Sequence, residues 1–82
     1  MRLEFLKQNK LEVINMKKFS LEAVKNRRIE LKMSIATVAK LMGFKNYSVY
    51  WKYENGKLKF DVDKLARLAE IFQCEPSIFF VE

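Results

Sequence analysis

The stretch Ser34–Gly56, SIATVAKLMGFKNYSVYWKYENG, decides the fold of this 82-residue chain. Its first residue is a favoured helix N-cap, and the apolar residues that follow share one helical stripe, which predicts a helix over Ile35–Met42. Gly43 supplies the left-handed conformation that ends such a helix, and a second helix is predicted over about Asn46–Asn55. The small side chain of Ala39 lets the two helices cross closely. The pattern predicts a helix-turn-helix, whose second helix can enter the major groove of DNA.

The composition argues against catalysis, metal binding and disulfide formation. The chain has no histidine and one cysteine, Cys74, so the commonest general base is missing and a zinc site is not expected. Its two glycines lie apart, which excludes a glycine-rich phosphate loop. No nucleophile–base pair or pair of acids can be assembled, so we predict no enzyme activity and no cofactor.

The same composition predicts one small cytoplasmic domain. Half of the residues are apolar, enough for a core without covalent staples. No apolar run approaches the roughly 18–20 residues of a membrane span, and Met1–Lys18 is too charged for a secretory signal. We therefore expect no membrane association.

Charge is distributed unevenly along the chain, whose formal net charge is +6. Residues 40–59 hold five lysines and one acid, Glu54, a net charge of +4, whereas residues 60–82 have a net charge of −3. This asymmetry favours one face for a polyanion such as nucleic acid, although lysines that merely solvate the surface would give the same counts.

The domain is predicted to span residues 19–82, with the helix-turn-helix at about 35–55. Residues 1–18 form an N-terminal extension or arm. Either it is a loosely ordered tail, or it packs on a partner chain or contacts phosphate.

A charged residue interrupts the apolar stripe of the helix predicted over Leu21–Lys32, which Ser20 caps. Arg28 falls in line with Leu21, Val24 and Leu31. A guanidinium at such a place is costly unless a carboxylate meets it, and the only acid within residues 34–60 is Glu54. We predict an ion pair between them; the alternative is that Arg28 lies at the edge of the stripe and reaches water.

The second helix of the motif is rich in aromatic residues. Tyr50 and Tyr53 are predicted to face the core, whereas the opposite, outward face holds Tyr47, Ser48, Trp51 and Lys52. Exposed aromatic rings on a basic helix suit contacts with bases. The alternative is that Trp51 packs into the core or a dimer interface.

After the motif, Lys57 and Lys59 are well placed for phosphates. Asp61 is predicted to cap a fourth helix over Val62–Phe72, and Pro76 suits the first turn of a short fifth helix. The inner face of the fourth helix is predicted to hold Val62, Leu65, Ala69 and Phe72. The apolar end Ile78–Val81 closes the core or contacts another subunit.

Residues 20–80 resemble the Cro/CI-type helix-turn-helix (XRE) family of phage and bacterial regulators. The resemblance rests on RRIELKMS before the motif, VAKLMGF and YENG within it, and DVDKLARLAEIF after it. It implies an all-α, five-helix, lambda-repressor-like domain that binds operator DNA, often as a homodimer. It also implies that Arg28 and Glu54 form the family's interhelix ion pair.

Two features depart from the family pattern. Ile35 stands where a phosphate-contacting glutamine is common, and Gly43 to Glu54 is one residue longer than usual. We place the extra residue at Phe44–Asn46, which keeps Tyr50 and Tyr53 at buried positions. The predicted base contacts are then Tyr47, Ser48, Trp51 and Lys52, and the predicted phosphate contacts are Lys45, Asn46, Asn55, Lys57 and Lys59.

These features predict a sequence-specific regulator of transcription that binds double-stranded DNA. The resemblance suggests a repressor of phage derivation, acting as a homodimer. The chain has no separate effector domain, so no small-molecule ligand is expected. The competing hypothesis is a protein-binding module on the same fold, such as an antitoxin or adaptor, in which the outward aromatic residues bind a partner chain.

Overall fold

The computed structural model describes residues 17–82, which form four α-helices, a short 3₁₀ helix and a two-stranded ladder. α2 and α3 pack most extensively on each other, α4 lies against α2, and α1 contacts α3 and the 3₁₀ helix. In chain order the elements are β1 (Lys18–Phe19), α1 (Leu21–Glu30), α2 (Ile35–Met42), α3 (Tyr47–Glu54), α4 (Val62–Ile71), the 3₁₀ helix (Pro76–Phe79) and β2 (Phe80–Val81).

Three helices begin at a side chain that accepts a hydrogen bond from the backbone N–H three residues further on. Ser20 caps α1 at 3.0 Å, Ser34 caps α2 at 3.0 Å, and Asp61 caps α4 at 2.8 Å. Each cap satisfies a donor that the first turn of a helix leaves without a partner. The three cap predictions are confirmed.

The first helix is shorter than predicted and ends at Glu30 rather than Lys32. Leu31 is its C-cap, and Lys32 lies in the left-handed region with a φ of 57°. The chain therefore leaves the helix there and turns towards Ser34, which begins α2.

The core is built from small, aliphatic and aromatic residues of all four helices and the 3₁₀ helix. Ala39 is only 2% exposed, so α3 can cross α2 closely at this point. The buried apolar residues are Val24, Val38, Ala39, Tyr50, Leu68, Ala69, Phe72 and Phe79.

One predicted core residue of α4 is wrong and another was missed. Val62 is 82% exposed, because it is the first helical residue after the Asp61 cap and lies beyond the edge of the core. Leu68, which the prediction omitted, is fully buried. The buried stripe of α4 therefore starts one turn later than predicted.

The fifth helix is a correction to the predicted all-α, five-helix fold. The described residues contain four α-helices, and the segment predicted as the fifth is a four-residue 3₁₀ helix, Pro76–Phe79. It stops because Phe80 adopts an extended conformation, with φ −113° and ψ 131°, and enters β2.

The ladder joins the two ends of the described chain and was not predicted. β1 and β2 are antiparallel, with Lys18 opposite Val81 and Phe19 opposite Phe80. The backbone N–H of Ser20 also donates to the Phe79 carbonyl at 2.7 Å. These bonds hold the start of α1 against the C-terminal segment, so Phe79 closes the core.

Candidate nucleic-acid interface

The turn between α2 and α3 is built around a glycine and an aromatic stack. Gly43 ends α2 with a φ of 85°, which favours glycine. Phe44 follows and stacks on Tyr53 of α3, with ring centroids 5.5 Å apart and an interplanar angle of 3°. Residues 43–46 form the connection, and α3 begins at Tyr47 as a regular helix. This connection contains Phe44–Asn46, where the sequence analysis places the extra residue of the motif.

A buried cluster of polar groups anchors α3 to α1. Glu54, whose side chain is 3% exposed, accepts hydrogen bonds from the Arg28 guanidinium at 2.9 Å to each carboxylate oxygen. Arg28 also donates to the Met33 carbonyl at 2.9 Å, and the Tyr50 hydroxyl donates to Glu54 at 2.7 Å. The ion pair predicted from the stripe of α1 is present, and the alternative of a solvated Arg28 is wrong.

Burial and charge change the acidity of both groups that donate to Glu54. The hydrogen bond to Glu54 is the main cause that raises the pKa of Arg28 above its usual value. Burial, followed by the hydrogen bond to Glu54, raises the pKa of Tyr50 well above its usual value. Tyr50 is therefore a fixed donor at neutral pH, which orients the carboxylate for Arg28.

The face of α3 opposite this cluster is exposed. Tyr47 is 61% exposed and Trp51 43%, and Ser48 and Lys52 are also exposed. At positions i, i+1, i+4 and i+5 these four residues share one side of the helix. The alternative in which Trp51 packs into the core of its own chain is wrong.

Local hydrogen bonds order the two ends of this face. The Ser48 hydroxyl donates to the Asn46 side-chain oxygen before the first turn of α3. At the other end, the Asn55 amide donates to the Trp51 carbonyl at 2.9 Å. Both asparagine side chains are exposed, so each keeps free donors and acceptors for further contacts.

The loop after α3 carries the lysines predicted to contact phosphates. Gly56, with a φ of 80°, turns the chain, and the N–H groups of Lys57 and Leu58 donate back to the Lys52 carbonyl. These bonds fix Lys57 directly behind the last turn of α3. All of the predicted phosphate contacts, Lys45, Asn46, Asn55, Lys57 and Lys59, are exposed.

The surface of this region is more positive than its sequence charge suggests. Glu54, the one acid of residues 40–59, is buried and paired with Arg28. Within residues 17–82 the salt bridges involve Arg27, Arg28, Lys64 and Arg67, and none of the five lysines of residues 40–59. Among the described residues, therefore, no acidic side chain pairs with these lysines.

One feature of the interface follows the predicted apolar stripe of α2, and another was not read from the sequence. Ile35 is half-buried and packs against the core, so α2 uses an apolar anchor where the family commonly has a polar one. Tyr53 lies between Phe44 and Phe60, with centroid separations of 5.5 and 5.1 Å, and Lys64 lies 5.9 Å above its ring. Aromatic spacing across a turn and a loop cannot be read from helical periodicity.

Residues 17–82 contain neither a candidate metal site nor a helix that could span a membrane. Within this range no group of three histidine, cysteine or acidic side chains could hold a metal ion. None of the helices described there has the length and apolar content needed to cross a bilayer.

Two crossing helices, a tight turn and an exposed basic face on the second helix define a helix-turn-helix DNA-binding domain. A family model described as helix-turn-helix matches residues 24–79. The chain belongs to this family, the Cro/CI-type (XRE) helix-turn-helix proteins, which are DNA-binding regulators. Comparison with curated proteins and with solved structures gave no match.

Proposed function

We propose that the protein regulates transcription by binding a specific sequence of double-stranded DNA, with α3 in the major groove. The observation that supports this most is the division of α3 into two faces. One face is held by Tyr50 and Glu54, and the other presents Tyr47, Ser48, Trp51 and Lys52 to solvent. A rigid helix with one free face of about two turns suits insertion into a groove.

Each residue of the free face offers a contact that distinguishes base pairs. Lys52 can donate to the O6 and N7 acceptors of guanine, and the hydroxyls of Tyr47 and Ser48 can donate or accept. The Trp51 ring offers an apolar surface for a thymine methyl group. These residues select sequence, because base edges rather than phosphates carry the sequence information.

The exposed polar residues flanking α3 supply affinity. Lys45 and Asn46 precede the helix, and Asn55, Lys57 and Lys59 follow it. Phosphate contacts from both ends would fix the register of α3 in the groove. Their charges make the affinity fall with salt, as counterions are released from DNA.

We propose that the protein is a repressor that binds a two-fold operator as a homodimer. The family resemblance also suggests a phage origin. A domain of this size repressing by occupancy needs no catalytic step and no effector ligand. Such a role also fits the predicted cytoplasmic location.

A random-site selection with the purified full chain tests this proposal. We expect an enriched sequence, arranged as an inverted repeat if the protein binds as a dimer. Lys52→Ala should weaken binding to that sequence by about 1–3 kcal/mol. Lys25→Ala, which removes an exposed lysine of α1 outside the motif, is the matched control and should bind as the wild type does.

The competing function predicts a different outcome. If the protein is an antitoxin or adaptor, the exposed Tyr47 and Trp51 rings bind a partner chain, because large aromatic residues dominate protein interfaces. Selection would then enrich no sequence, and affinity purification would recover one stoichiometric protein whose binding Trp51→Ala abolishes.

A further inference from the structure

The side chain of Asn46, at the start of α3, does not cap the helix that it precedes. Asn46 has the extended backbone of an N-cap residue, with φ −149° and ψ 167°, yet no backbone N–H of the described residues caps the helix by donating to its side chain. Its Oδ1 atom accepts a hydrogen bond from the Ser48 hydroxyl instead. An N-cap asparagine usually accepts from a backbone N–H of the first turn, so the oxygen is diverted here to a residue of the exposed face.

This bond restricts the further hydrogen bonds that Ser48 can form. A serine hydroxyl on its own can donate or accept, because it has one proton and two acceptor lone pairs, whereas an amide oxygen can only accept. The proton of Ser48 is therefore used by Asn46, and the Oγ atom is left with its acceptor lone pairs. Both side chains are exposed, so these lone pairs are open to a ligand of α3.

The other polar groups of the free face of α3 have a different character. The Lys52 ammonium and the Trp51 indole N–H can only donate, and the Tyr47 hydroxyl can do either. Glu54 is buried, so its carboxylate is not part of this face. Ser48 is therefore the residue of the free face whose hydrogen bonding is restricted to accepting.

The major groove offers such an acceptor a choice at every base pair. Each pair presents one exocyclic amino group, on adenine or cytosine, and one exocyclic oxygen, on thymine or guanine. We propose that Asn46 holds Ser48 as a dedicated acceptor, so that Ser48 selects adenine or cytosine by its amino group at one base pair of the operator. This inference rests on the proposed function and makes Asn46 a positioning residue for base selection.

The chain offers a matched control for Asn46 at the other end of the same helix. Asn55 is also exposed, but its Nδ2 group donates to the Trp51 carbonyl at 2.9 Å and not to a side chain of the free face. Asn46 keeps both Nδ2 protons, because its bond to Ser48 engages only the oxygen. Both asparagines can therefore contact phosphate, and only Asn46 fixes the direction of a base-contacting group.

A binding profile of the full chain locates the base pair that Ser48 contacts. Every base pair of the sequence enriched by selection is changed in turn, and fluorescence anisotropy compares the affinities of the wild type and Ser48→Ala. We expect Ser48→Ala to lose selectivity at one base pair of each binding site. Selection without an enriched sequence would overturn the proposed function and this inference together. An enriched sequence with the same profile for both proteins would overturn the inference alone.

Removal of single groups from that base pair tests whether Ser48 accepts or donates. One set of base analogues has hydrogen in place of the amino group, such as purine for adenine, and a second set has hydrogen in place of the exocyclic oxygen. Loss of the amino group should weaken binding of the wild type about 2- to 10-fold more than binding of Ser48→Ala, the contribution of one hydrogen bond. Loss of the oxygen should affect both proteins equally. A larger effect of oxygen loss on the wild type would show that Ser48 donates, and would overturn the proposal.

A transition at the same base pair tests whether Asn46 sets this direction. Changing A·T to G·C, or C·G to T·A, puts an oxygen where the amino group was, so the Ser48 acceptor then faces another acceptor. We expect the transition to weaken binding of the wild type and Asn55→Ala by at least about fivefold. It should weaken binding of Asn46→Ala by no more than about twofold, because the released hydroxyl can turn and donate to the oxygen. An equal penalty in Asn46→Ala and Asn55→Ala would overturn the proposal.

Discussion

Neutralising Glu54 with an isosteric glutamine is predicted to lower the stability of the folded protein strongly. Its carboxylate accepts from Arg28 at 2.9 Å on each oxygen and from the Tyr50 hydroxyl at 2.7 Å. The side chains of Glu54 and Arg28 are 3% and 12% exposed, so solvent screens the pair weakly. Glu54→Gln keeps the volume but leaves the guanidinium without its counterion.

The expected cost follows from that burial. Removing one partner of a buried ion pair costs about 3–5 kcal/mol, because the remaining charge is left uncompensated. Small domains have about 5–15 kcal/mol in total, and each kcal/mol shifts the Tm of such a domain by about 4–8 °C. Glu54→Gln should therefore lower the Tm by at least about 12 °C.

Urea and thermal unfolding, followed by circular dichroism, provide the assay, with two comparisons. Glu30→Gln removes the acid of the Arg27–Glu30 pair. The Glu30 side chain is 68% exposed, so this change should cost less than about 1 kcal/mol. The double variant Arg28→Met/Glu54→Leu leaves no buried charge; the Tyr50 hydroxyl loses its acceptor and the half-buried Met33 carbonyl loses a donor. It should cost about 1–3 kcal/mol. A Glu54→Gln protein as stable as Glu30→Gln, or a double variant less stable than Glu54→Gln, would refute this account.

Three further predictions concern the anchor, the turn and the basic surface. Because folding raises the pKa of Tyr50, the stability that this phenol contributes is complete below its unfolded pKa of about 10 and declines as the pH rises further. In chemical unfolding, the free energy of unfolding of Tyr50→Phe should therefore fall less steeply above pH 10 than that of the wild type. Equal slopes would contradict this. Gly43→Ala meets no atom within 4 Å but must adopt a φ of 85°, so denaturant titration should show a loss of about 1–2 kcal/mol, whereas an unchanged midpoint would refute the strain. Lys57→Ala should reduce the slope of log affinity against log salt by about 1, measured by fluorescence anisotropy on a labelled duplex, whereas Lys25→Ala should not; equal slopes would remove Lys57 from the phosphate contacts.

The parts of the fold that follow helical periodicity were predictable from the sequence. The caps Ser20, Ser34 and Asp61, the bounds of α2 and α3, and the Arg28–Glu54 pair all depend on residues at fixed helical spacing. A charged residue in an apolar stripe needs a partner, and residues 34–60 contain one acid, Glu54.

The features that depend on the edge of the core and on long-range strand pairing were not predictable from the sequence. Val62 has the spacing of a core residue but lies past the edge of the core. The ladder of Phe19 with Phe80 joins positions 61 residues apart, and two-residue strands carry no alternation from which to read them. The predicted fifth helix is a 3₁₀ helix that ends where Phe80 becomes extended and pairs with Phe19.

The candidate interface also has features that the sequence predicted and features that only the structure shows. Helical spacing placed Tyr47, Ser48, Trp51 and Lys52 on one face, and their exposure in the structure agrees with that grouping. The Arg28–Glu54 pair was predicted, but the depth at which it is buried becomes visible only when α1 is packed against α3. That burial leaves the lysines of residues 40–59 without an exposed acid among them.

The proposed function requires the exposed face of α3 to contact DNA, and Trp51 reports on that contact directly. It is the one tryptophan of the chain and is 43% exposed on that face. Acrylamide quenching of its fluorescence should fall markedly when a selected duplex saturates the protein, because the groove covers the ring. A protein that is saturated with duplex by anisotropy, yet has Trp51 quenched as readily as in the free state, would contradict the claim.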